Sequence, residues 1–531
     1  MAVSEERRMA RRAGTVGAAT LLSRVLGLVR EQVMATLFGA GLATDAFNVA
    51  FRIPNLLRDL FAEGAMSSAF VPTFTEYLEK RGEAEAWAFG RQLMVTLFSV
   101  LALLWLIGYV TAPWLVRAFA PGFASISGKL DLTVQLTRVM LPFLPSVALA
   151  AACMGMLNAR GSFGVPALAP TWLNLGMVVF GVALIPVCRR FGQPDILAMA
   201  IGVVIGGIGQ FAFQLPALHR LGFRLRWELP RPHPGVRRVA TLMVPATIGL
   251  SATQFNLFFS TLVASLLPQG SVSWLWYAFR IMQLPIGVFG VALATVSLPA
   301  LSRAAVAQDM GALKSTLSAT LRLVILLTVP AALWLAVMSR PVIALLYQHG
   351  HFGPLDTVRT ADALVMYCIG LPAFAGVGVL TRTFYALGDT RRPVQASFAS
   401  VGLNVALNLL LMRPLGHLGL ALAASATAIT NFLQLAFYLR RRVGPLEGRR
   451  MARTLARVLA AGAAMAALCG FGLLLVGPGR AHGLVAEALL VGAALALGLG
   501  VSYAAMKALG VEELGAVEEL VTAVRARVLG R

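Results

Sequence analysis

The most constraining feature of this sequence is a series of apolar windows that are long enough to cross a membrane, some of which contain charged residues. A helix needs about 20 mostly apolar residues to span the hydrocarbon core of a bilayer. Hydrophobic residues make up 58% of the 531-residue chain and charged residues only 13%. A soluble chain of this length would carry far more charge. The sequence therefore predicts an all-α polytopic membrane protein.

Hydropathy predicts about 14 membrane spans. Their approximate ranges are 15–38, 44–74, 88–117, 131–157, 164–188, 195–218, 237–267, 271–302, 313–339, 357–387, 393–412, 417–439, 453–476 and 482–507. Basic residues gather in alternate loops, as in 220–238 and 440–450, and the intervening turns are short. Cytoplasmic loops carry the excess of Lys and Arg in membrane proteins, so we expect both termini in the cytoplasm. This distribution also accounts for the net charge of +22 without a nucleic-acid partner.

The chain repeats itself at an offset of 227 to 230 residues. The repeated segments are AFRI at 50–53 and 278–281, LP at 141–142 and 371–372, LN at 173–174 and 403–404, and FVP at 70–72 with SLP at 297–299. The repeat divides the protein into two pseudo-symmetric lobes of six helices each, followed by two extra helices. Since six is even, both lobes enter the membrane the same way, which is one of the known plans of transporters.

The predicted domains follow from this division. They are an N-lobe at 1–218, a cytoplasmic linker at 219–236, a C-lobe at 237–440, and a segment at 441–531 that holds the last two helices and a cytoplasmic tail. A cavity between two such lobes can open to one side of the membrane and then to the other.

Several arginines lie inside predicted spans, where a lone charge costs roughly 2.5–3.5 kcal/mol at the bilayer centre. They are Arg24, Arg30, Arg52, Arg58 and Arg280, the repeat counterpart of Arg52. We therefore expect them to face an interior, water-filled cavity. Arginines from both halves suit a diphosphate, because the guanidinium group binds phosphate oxygens in pairs and keeps its charge.

A second interpretation of the arginines stays open. The side chains can snorkel to the membrane surface or pair internally, Arg24 with Glu31 or Arg58 with Glu63. Glu31 and Asp59, each next to an arginine in the sequence, can also simply neutralise that neighbour.

Other polar positions also allow two interpretations. Asp45 opens the second span, either as a helix cap with Thr44 or as a gating group. Glu63 precedes Gly64 and is a candidate coupling carboxylate. Asn404 and Asn408 lie one helical turn apart, and such amides serve either as interhelical hydrogen-bonding groups or as ligands of a cation.

The sequence contains no enzyme motif, nucleotide-binding loop or metal-binding cluster. The four cysteines lack metal-ligand spacing and are expected to be buried free thiols. We therefore predict no cofactor, and expect the energy to come from a monovalent cation gradient, the membrane potential or mass action.

The N-terminal run closely resembles the MurJ/MviN family of bacterial lipid II flippases, within the MOP superfamily of exporters. The segments that carry the resemblance are LSRVLG at 22–27, FGAG at 38–41, ATDAF at 43–47, PNLLR at 54–58, FAEGA at 61–65, AFVP at 69–72, APGF at 120–123, PALAP at 166–170, GSVSW at 270–274 and FYALGDT at 384–390. The resemblance covers essentially the whole chain and implies 14 helices, two lobes and a groove for the lipid tail along the last two helices.

The resemblance also implies roles for individual residues. Arg24, Arg30, Arg58 and Arg280 would form the cationic cavity for the lipid II diphosphate. Ser23 and Arg52 are secondary candidates for the cavity wall. Asp45 and Glu63 match acidic positions implicated in gating and conformational coupling.

Some members of the family bind sodium in the C-lobe, and Asn404 matches one ligand position. Ser260 and Asn408 stand where those members carry aspartates. Because this candidate cation site lacks carboxylates, we predict weak sodium binding.

The resemblance implies an inner-membrane flippase that moves undecaprenyl-diphosphate-linked peptidoglycan precursor to the outer leaflet by alternating access. We expect a monomer among membrane lipids, with lipid II as ligand and cell-wall synthases as candidate partners. Two alternatives are another MOP-type exporter of a polysaccharide lipid or a drug, and an integral-membrane enzyme acting on polyprenyl phosphates.

Overall fold

The computed structural model describes residues 2–59, 65–226, 228–476, 483–515, 517–519 and 522. The backbone alone is described at 2–16, 65, 67–68, 245–246, 248–250, 253 and 476. Throughout this described part the regular structure is helical and no strand occurs. The predicted all-α class is confirmed.

Twenty-one α-helices are described. Helices α1 to α13 are Ala2–Phe38, Leu42–Arg58, Ala65–Arg81, Glu83–Phe119, Lys129–Met140, Phe143–Ala159, Gly164–Leu168, Thr171–Leu175, Ile185–Arg190, Ile196–Ala212, Leu215–Arg220, Pro234–Ser265 and Ser271–Pro285. Helices α14 to α21 are Val291–Val306, Met310–Val337, Ser339–Tyr347, Pro354–Ala386, Arg391–Leu415, His417–Val443, Gly448–Val476 and Leu484–Ala508. A 3₁₀-helix at Pro121–Ser125 and π-helical turns at Gly176–Gly181 and Ile286–Gly290 complete the order.

Within the described residues, 11 helical segments are long and apolar enough to cross a membrane. Three predicted spans have no counterpart among those segments. The span at 15–38 corresponds to α1, the span at 44–74 to α2 and α3, and the span at 237–267 to α12. Helices α2 and α3 are each only 17 residues long. The polytopic architecture is therefore confirmed, and the count of 14 stays a prediction.

Contacts divide the chain into two compact units, Met1–Ser273 and Trp274–Arg531, with the division inside α13. In the first unit, α12 packs against α3 and α4. The lobe boundaries at 218, 237 and 440, which the repeat predicts, remain a prediction.

Each unit has its own apolar core. In the first unit, Phe51 and Phe143 belong to one cluster of buried side chains, and Phe74 and Phe89 to a second. In the second unit, α14, α15, α17 and α19 surround a core that includes Phe384. These cores hold the helices that carry the polar residues described below.

In the second unit, helix α21 packs closely against α15. The Trp334 indole N–H donates to the Ala494 carbonyl at 3.2 Å. A Cβ atom at Gly498 would lie 3.0 Å from Trp334 Cδ1, so glycine allows this close approach. The last two helices are thus part of the second unit.

A buried arginine ties α15 to the segments that flank the last two helices. Arg322 is 8% exposed and lies 2.5 Å from Glu513, which follows α21. It also donates to Glu447, between α19 and α20, at 2.7 Å and to Ser318 at 2.7 Å. Hydrogen bonds from Ser318 and Arg322 hold the pKa of the Glu447 carboxyl below its usual value.

We predict that Arg322→Met destabilises the protein by about 3 kcal/mol, because it leaves Glu513 charged and buried without its cation. A lower apparent melting temperature in detergent, measured by intrinsic fluorescence, is the expected result. Arg340→Gln is the matched control, since Arg340 pairs with Asp362 at the surface and exposed pairs contribute little. Equal melting temperatures for Arg322→Met and the wild type would contradict this interpretation.

Candidate functional site

The site is built around the turn between the first two helices. Helix α1 ends at Phe38 and α2 begins at Leu42, as the glycine-rich turn predicts. Gly39 adopts a φ of 63°, in the left-handed region that favours glycine. The Thr44 hydroxyl donates to the Gly39 carbonyl at 2.8 Å. The turn thereby fixes where the next residue, Asp45, enters the interior.

Asp45 is almost completely buried, with 1% of its surface exposed. Its Oδ2 accepts from Lys129 Nζ at 2.8 Å and from the Gly270 backbone N–H at 2.8 Å. Its Oδ1 accepts from the Ser273 backbone N–H at 2.9 Å and from the Ser273 hydroxyl at 2.6 Å. Both carboxylate oxygens are therefore satisfied. We call Asp45, Lys129, Gly270 and Ser273 the Asp45 cluster.

The Asp45 cluster joins the first turns of three helices. Lys129 is the first residue of α5, Gly270 precedes α13, and Ser273 is the third residue of α13. The first backbone N–H groups of a helix have no partner within it and attract negative charge. Asp45 therefore caps α13 from α2. The interpretation of Asp45 as a cap of its own helix is wrong, because Gly41 occupies that position and α2 has no side-chain cap.

Asp45 and Ser273 are also repeat counterparts. They are separated by 228 residues, the offset that relates the two copies of AFRI. The carboxylate thus binds the residue that replaces it in the second copy. Ser273 is the last residue of the first unit, and α13 continues from there into the second.

Lys129 is held from a second side. Its side chain is 1% exposed, and its ammonium lies 4.1 Å from the centre of the Phe123 ring. Phe123 belongs to the 3₁₀-helix, which packs on the end of α12: a Cβ atom at Gly122 would lie 2.1 Å from the Ser265 carbonyl oxygen. Only glycine fits this contact. The loop that precedes α5 is thereby fixed against α12.

The arginines of the first two helices differ in their surroundings. Arg24 is exposed, Arg30 is buried, and Arg52 and Arg58 are half-buried. Arg30 pairs with Glu31 at 2.5 Å and Arg58 with Asp59 at 2.8 Å. The predicted pairing of each with its adjacent carboxylate is confirmed.

The Arg58 pair reaches a third helix. Gln254 of α12 donates its side-chain amide to Asp59 Oδ2 at 3.3 Å. The pair is thus part of a small polar network in the first unit. Glu63, the other predicted partner of Arg58, lies outside the described residues.

In the second unit, Arg280 is half-buried on α13, and its guanidinium lies 4.6 Å from the centre of the Trp276 ring. It follows Ser273 by seven residues, which is about 10 Å along the helix axis. The helix that Asp45 caps is therefore the one that carries Arg280.

Asn404 of α18 makes a hydrogen bond to the next helix. Asn404 and Asn408 are each 1% exposed. Asn404 donates to the Thr427 hydroxyl of α19 at 3.3 Å, and Asn408 donates to Asn404 Oδ1, one turn away on the same helix, at 2.7 Å. The predicted interhelical role is confirmed for Asn404. Ser260 lies half-buried on α12, in the first unit.

Asn174, the repeat counterpart of Asn404, also links two helices. Its side-chain amide donates to the Ser23 carbonyl at 3.1 Å. It is the backbone of Ser23, one residue before Arg24, that makes this contact. No group of three or more His, Cys, Asp or Glu side chains gathers into a metal site in the described part of the chain.

The residue that the sequence analysis missed is Lys129. Its only signal is a lysine placed directly after a glycine at the start of an apolar window. Gly128 has a φ of 73°, and the chain therefore turns sharply into α5. A lysine at such a helix start usually faces solvent, and its partner lies 84 residues earlier.

Comparison with known proteins identifies the family. The family described as lipid II flippase MurJ matches residues 34–479. A probable lipid II flippase MurJ from Vibrio cholerae is 38% identical over 81% of this chain and 82% of its own length. The lipid II flippase MurJ of Burkholderia cenocepacia is 39% identical over 81% of this chain and 83% of its own length.

Comparison with solved structures supports the same family assignment. A lipid II flippase MurJ in an inward closed conformation matches with a TM-score of 0.77 and 25% identity, over 97% of this chain and 99% of that one. An inward-facing multidrug resistance MATE family transporter of the MOP superfamily matches with a TM-score of 0.64 over 82% of this chain and 99% of that one. At 14% identity, that second likeness shows a shared fold alone. The resemblance seen in the motifs is confirmed, and this chain belongs to the lipid II flippase MurJ family.

Proposed function

We propose that this protein moves lipid II, the undecaprenyl-diphosphate-linked peptidoglycan precursor, from the cytoplasmic to the outer leaflet of the bacterial inner membrane. The observation that carries the proposal is the family match over 34–479, together with the arginines of α1, α2 and α13. The relatives are transporters, so the chain is a transporter and not an enzyme. It is an integral membrane protein.

The arginines are suited to the diphosphate group of this lipid. Arg24 is exposed, whereas Arg30 and Arg58 are held by adjacent carboxylates. A diphosphate carries more negative charge than one carboxylate and offers oxygens for paired guanidinium hydrogen bonds. We propose that it takes Arg58 from Asp59 on binding, and that Arg280 contributes to its recognition.

We propose that the Asp45 cluster holds the outward side of the protein closed during part of the transport cycle. Opening the outward side would separate the first turns of α2, α5 and α13, and so would expose Asp45 to solvent and remove its partners. Breaking a buried ion pair costs about 3–5 kcal/mol. A ligand that inverts a 1:99 population must supply about 5.5 kcal/mol of differential affinity. We propose that lipid binding supplies a differential affinity of this size.

The lipid tail would follow the last two helices. Leu474 of α20 and Leu489 and Leu499 of α21 are exposed, at 79%, 68% and 64%. Long apolar side chains on this surface suit acyl or polyprenyl chains. The contacts of Arg322 and Trp334 would keep the surface attached to the second unit during transport.

The remaining features of the proposal concern energy and surroundings. The candidate cation ligands Ser260, Asn404 and Asn408 include no carboxylate, and we therefore propose the membrane potential over a sodium gradient as the energy source. We propose a monomer with both termini in the cytoplasm, and cell-wall synthases as partners.

We predict that Arg24→Ala and Arg280→Ala each abolish growth complementation in a strain depleted of its own lipid II flippase, while both variants still insert into the membrane. The reason is the loss of a guanidinium group that binds the diphosphate. Arg340→Ala is the matched control, since Arg340 is an exposed arginine on α16 that pairs with Asp362 at 3.7 Å. Normal growth with both cavity variants would refute the proposed substrate site.

A second prediction concerns the Asp45 cluster. Asp45→Asn and Lys129→Met should each lower the stability by about 3 kcal/mol, because each leaves one buried charge without its partner. The double variant should recover part of this loss, since neither charge remains. Melting temperatures of the four proteins in detergent test this, with Asp195→Asn, in an exposed pair with Arg189, as control. Strictly additive losses would contradict the ion pair.

A further inference from the structure

A polar face on helix α5 plays no part in the proposed transport site. Asp131, Gln135 and Arg138 recur at helical spacing, so they lie on one face of the helix. They line a cavity of about 500 Å³ in the first unit. Its other lining residues are Tyr109 of α4, Val134 and Val139 of α5, and Pro142. Charged side chains of both signs thus lie beside apolar side chains in one cavity.

The arginine of this cavity is fixed in place. Arg138 Nε donates to the Tyr109 backbone carbonyl at 3.1 Å, and the guanidinium carbon lies 5.1 Å from the centre of the Tyr109 ring. Among the described residues, no carboxylate lies within ion-pair distance of Arg138. Because one nitrogen already holds the group against α4, its remaining N–H donors are available for an anion.

The sequence indicates how deep the cavity lies. From 139 to 157 the chain contains no charged residue, and this stretch spans roughly 28 Å as a helix. The hydrocarbon core of a bilayer is about 30 Å thick. Arg138 therefore lies at one edge of the hydrocarbon, where lipid phosphates are found. Asp131 lies about 10 Å further out along the helix axis.

We propose that this cavity binds the headgroup of a phospholipid that carries a primary amine, such as phosphatidylethanolamine. The phosphate would contact Arg138, and the ammonium group would extend outward toward Gln135 and Asp131. Both side chains lean toward the N-terminus of α5, and Arg138 is held at Tyr109 by its hydrogen bond to that carbonyl. Val139 and Pro142 lie on the hydrocarbon side, where the acyl chains begin.

The order of Arg138 and Asp131 along the helix favours lipids whose headgroup carries an amine beyond its phosphate. In a phosphatidylethanolamine headgroup the phosphate lies nearer the hydrocarbon and the ammonium further out, and the cavity places Arg138 and Asp131 in the complementary order. Phosphatidylglycerol offers hydroxyl groups but no cation to the Asp131 carboxylate, which would repel the net negative charge of this lipid. Phosphatidylcholine carries a quaternary ammonium, which cannot donate a hydrogen bond to Asp131 or Gln135.

Native mass spectrometry of the delipidated full-length protein, after addition of one phospholipid at a time, tests the proposal. We expect the wild type to retain phosphatidylethanolamine in preference to phosphatidylcholine and phosphatidylglycerol. Arg138→Gln should lower this retention about tenfold or more, since a hydrogen bond to a charged group contributes about 1.5–3 kcal/mol. Arg117→Gln is the matched control, because Arg117 is an exposed arginine at the end of α4 that does not line the cavity.

The variant Asp131→Asn distinguishes recognition of the lipid ammonium group from recognition of the lipid phosphate. The side chain of Asp131 is exposed, so this variant should fold even if loss of the Arg138 contact with Tyr109 impairs folding. It should keep phosphate binding and lose the preference for phosphatidylethanolamine over phosphatidylglycerol. Equal retention of the three lipids by the wild type, a preference for phosphatidylglycerol, or an unchanged preference in Asp131→Asn would each overturn the proposal.

Discussion

The structure depends on one buried carboxylate. A charged Asp45 removed from water is tolerated only because Lys129 neutralises it and the start of α13 donates three further hydrogen bonds. The same contacts fix α2, α5 and α13 to one another at their first turns. We propose that these contacts open during transport. Helix α13, which they hold, also carries Arg280, the residue that we assign to substrate recognition.

Two arginines of α1 and α2 are stabilised by neighbouring carboxylates. Arg30 and Arg58 each have a carboxylate next to them in the sequence, and these carboxylates reduce the cost of holding a cation within a membrane protein. We propose that the lipid diphosphate exchanges with the carboxylate partner of Arg58 when it binds.

Sequence reasoning predicted the features that depend on local pattern. Apolar windows predicted the helices, and the two copies of AFRI, 228 residues apart, related Arg52 to Arg280. The pairing of Arg58 with Asp59 followed from adjacency alone. The partners of Asp45 could not be predicted, because one lies 84 residues away and two are backbone N–H groups 225 and 228 residues away. Such contacts arise from packing, which no local pattern encodes.

The central claim is that the protein recognises and moves a diphosphate-linked lipid. Its most direct test uses purified protein in sealed vesicles, with labelled lipid II placed in one leaflet and a membrane-impermeant reagent that detects its arrival in the other. A polyprenyl monophosphate lipid serves as the comparison. We predict rapid transfer of lipid II and slow transfer of the monophosphate lipid. Transfer of lipid II no faster than in protein-free vesicles, or equal transfer of both lipids, would contradict the account.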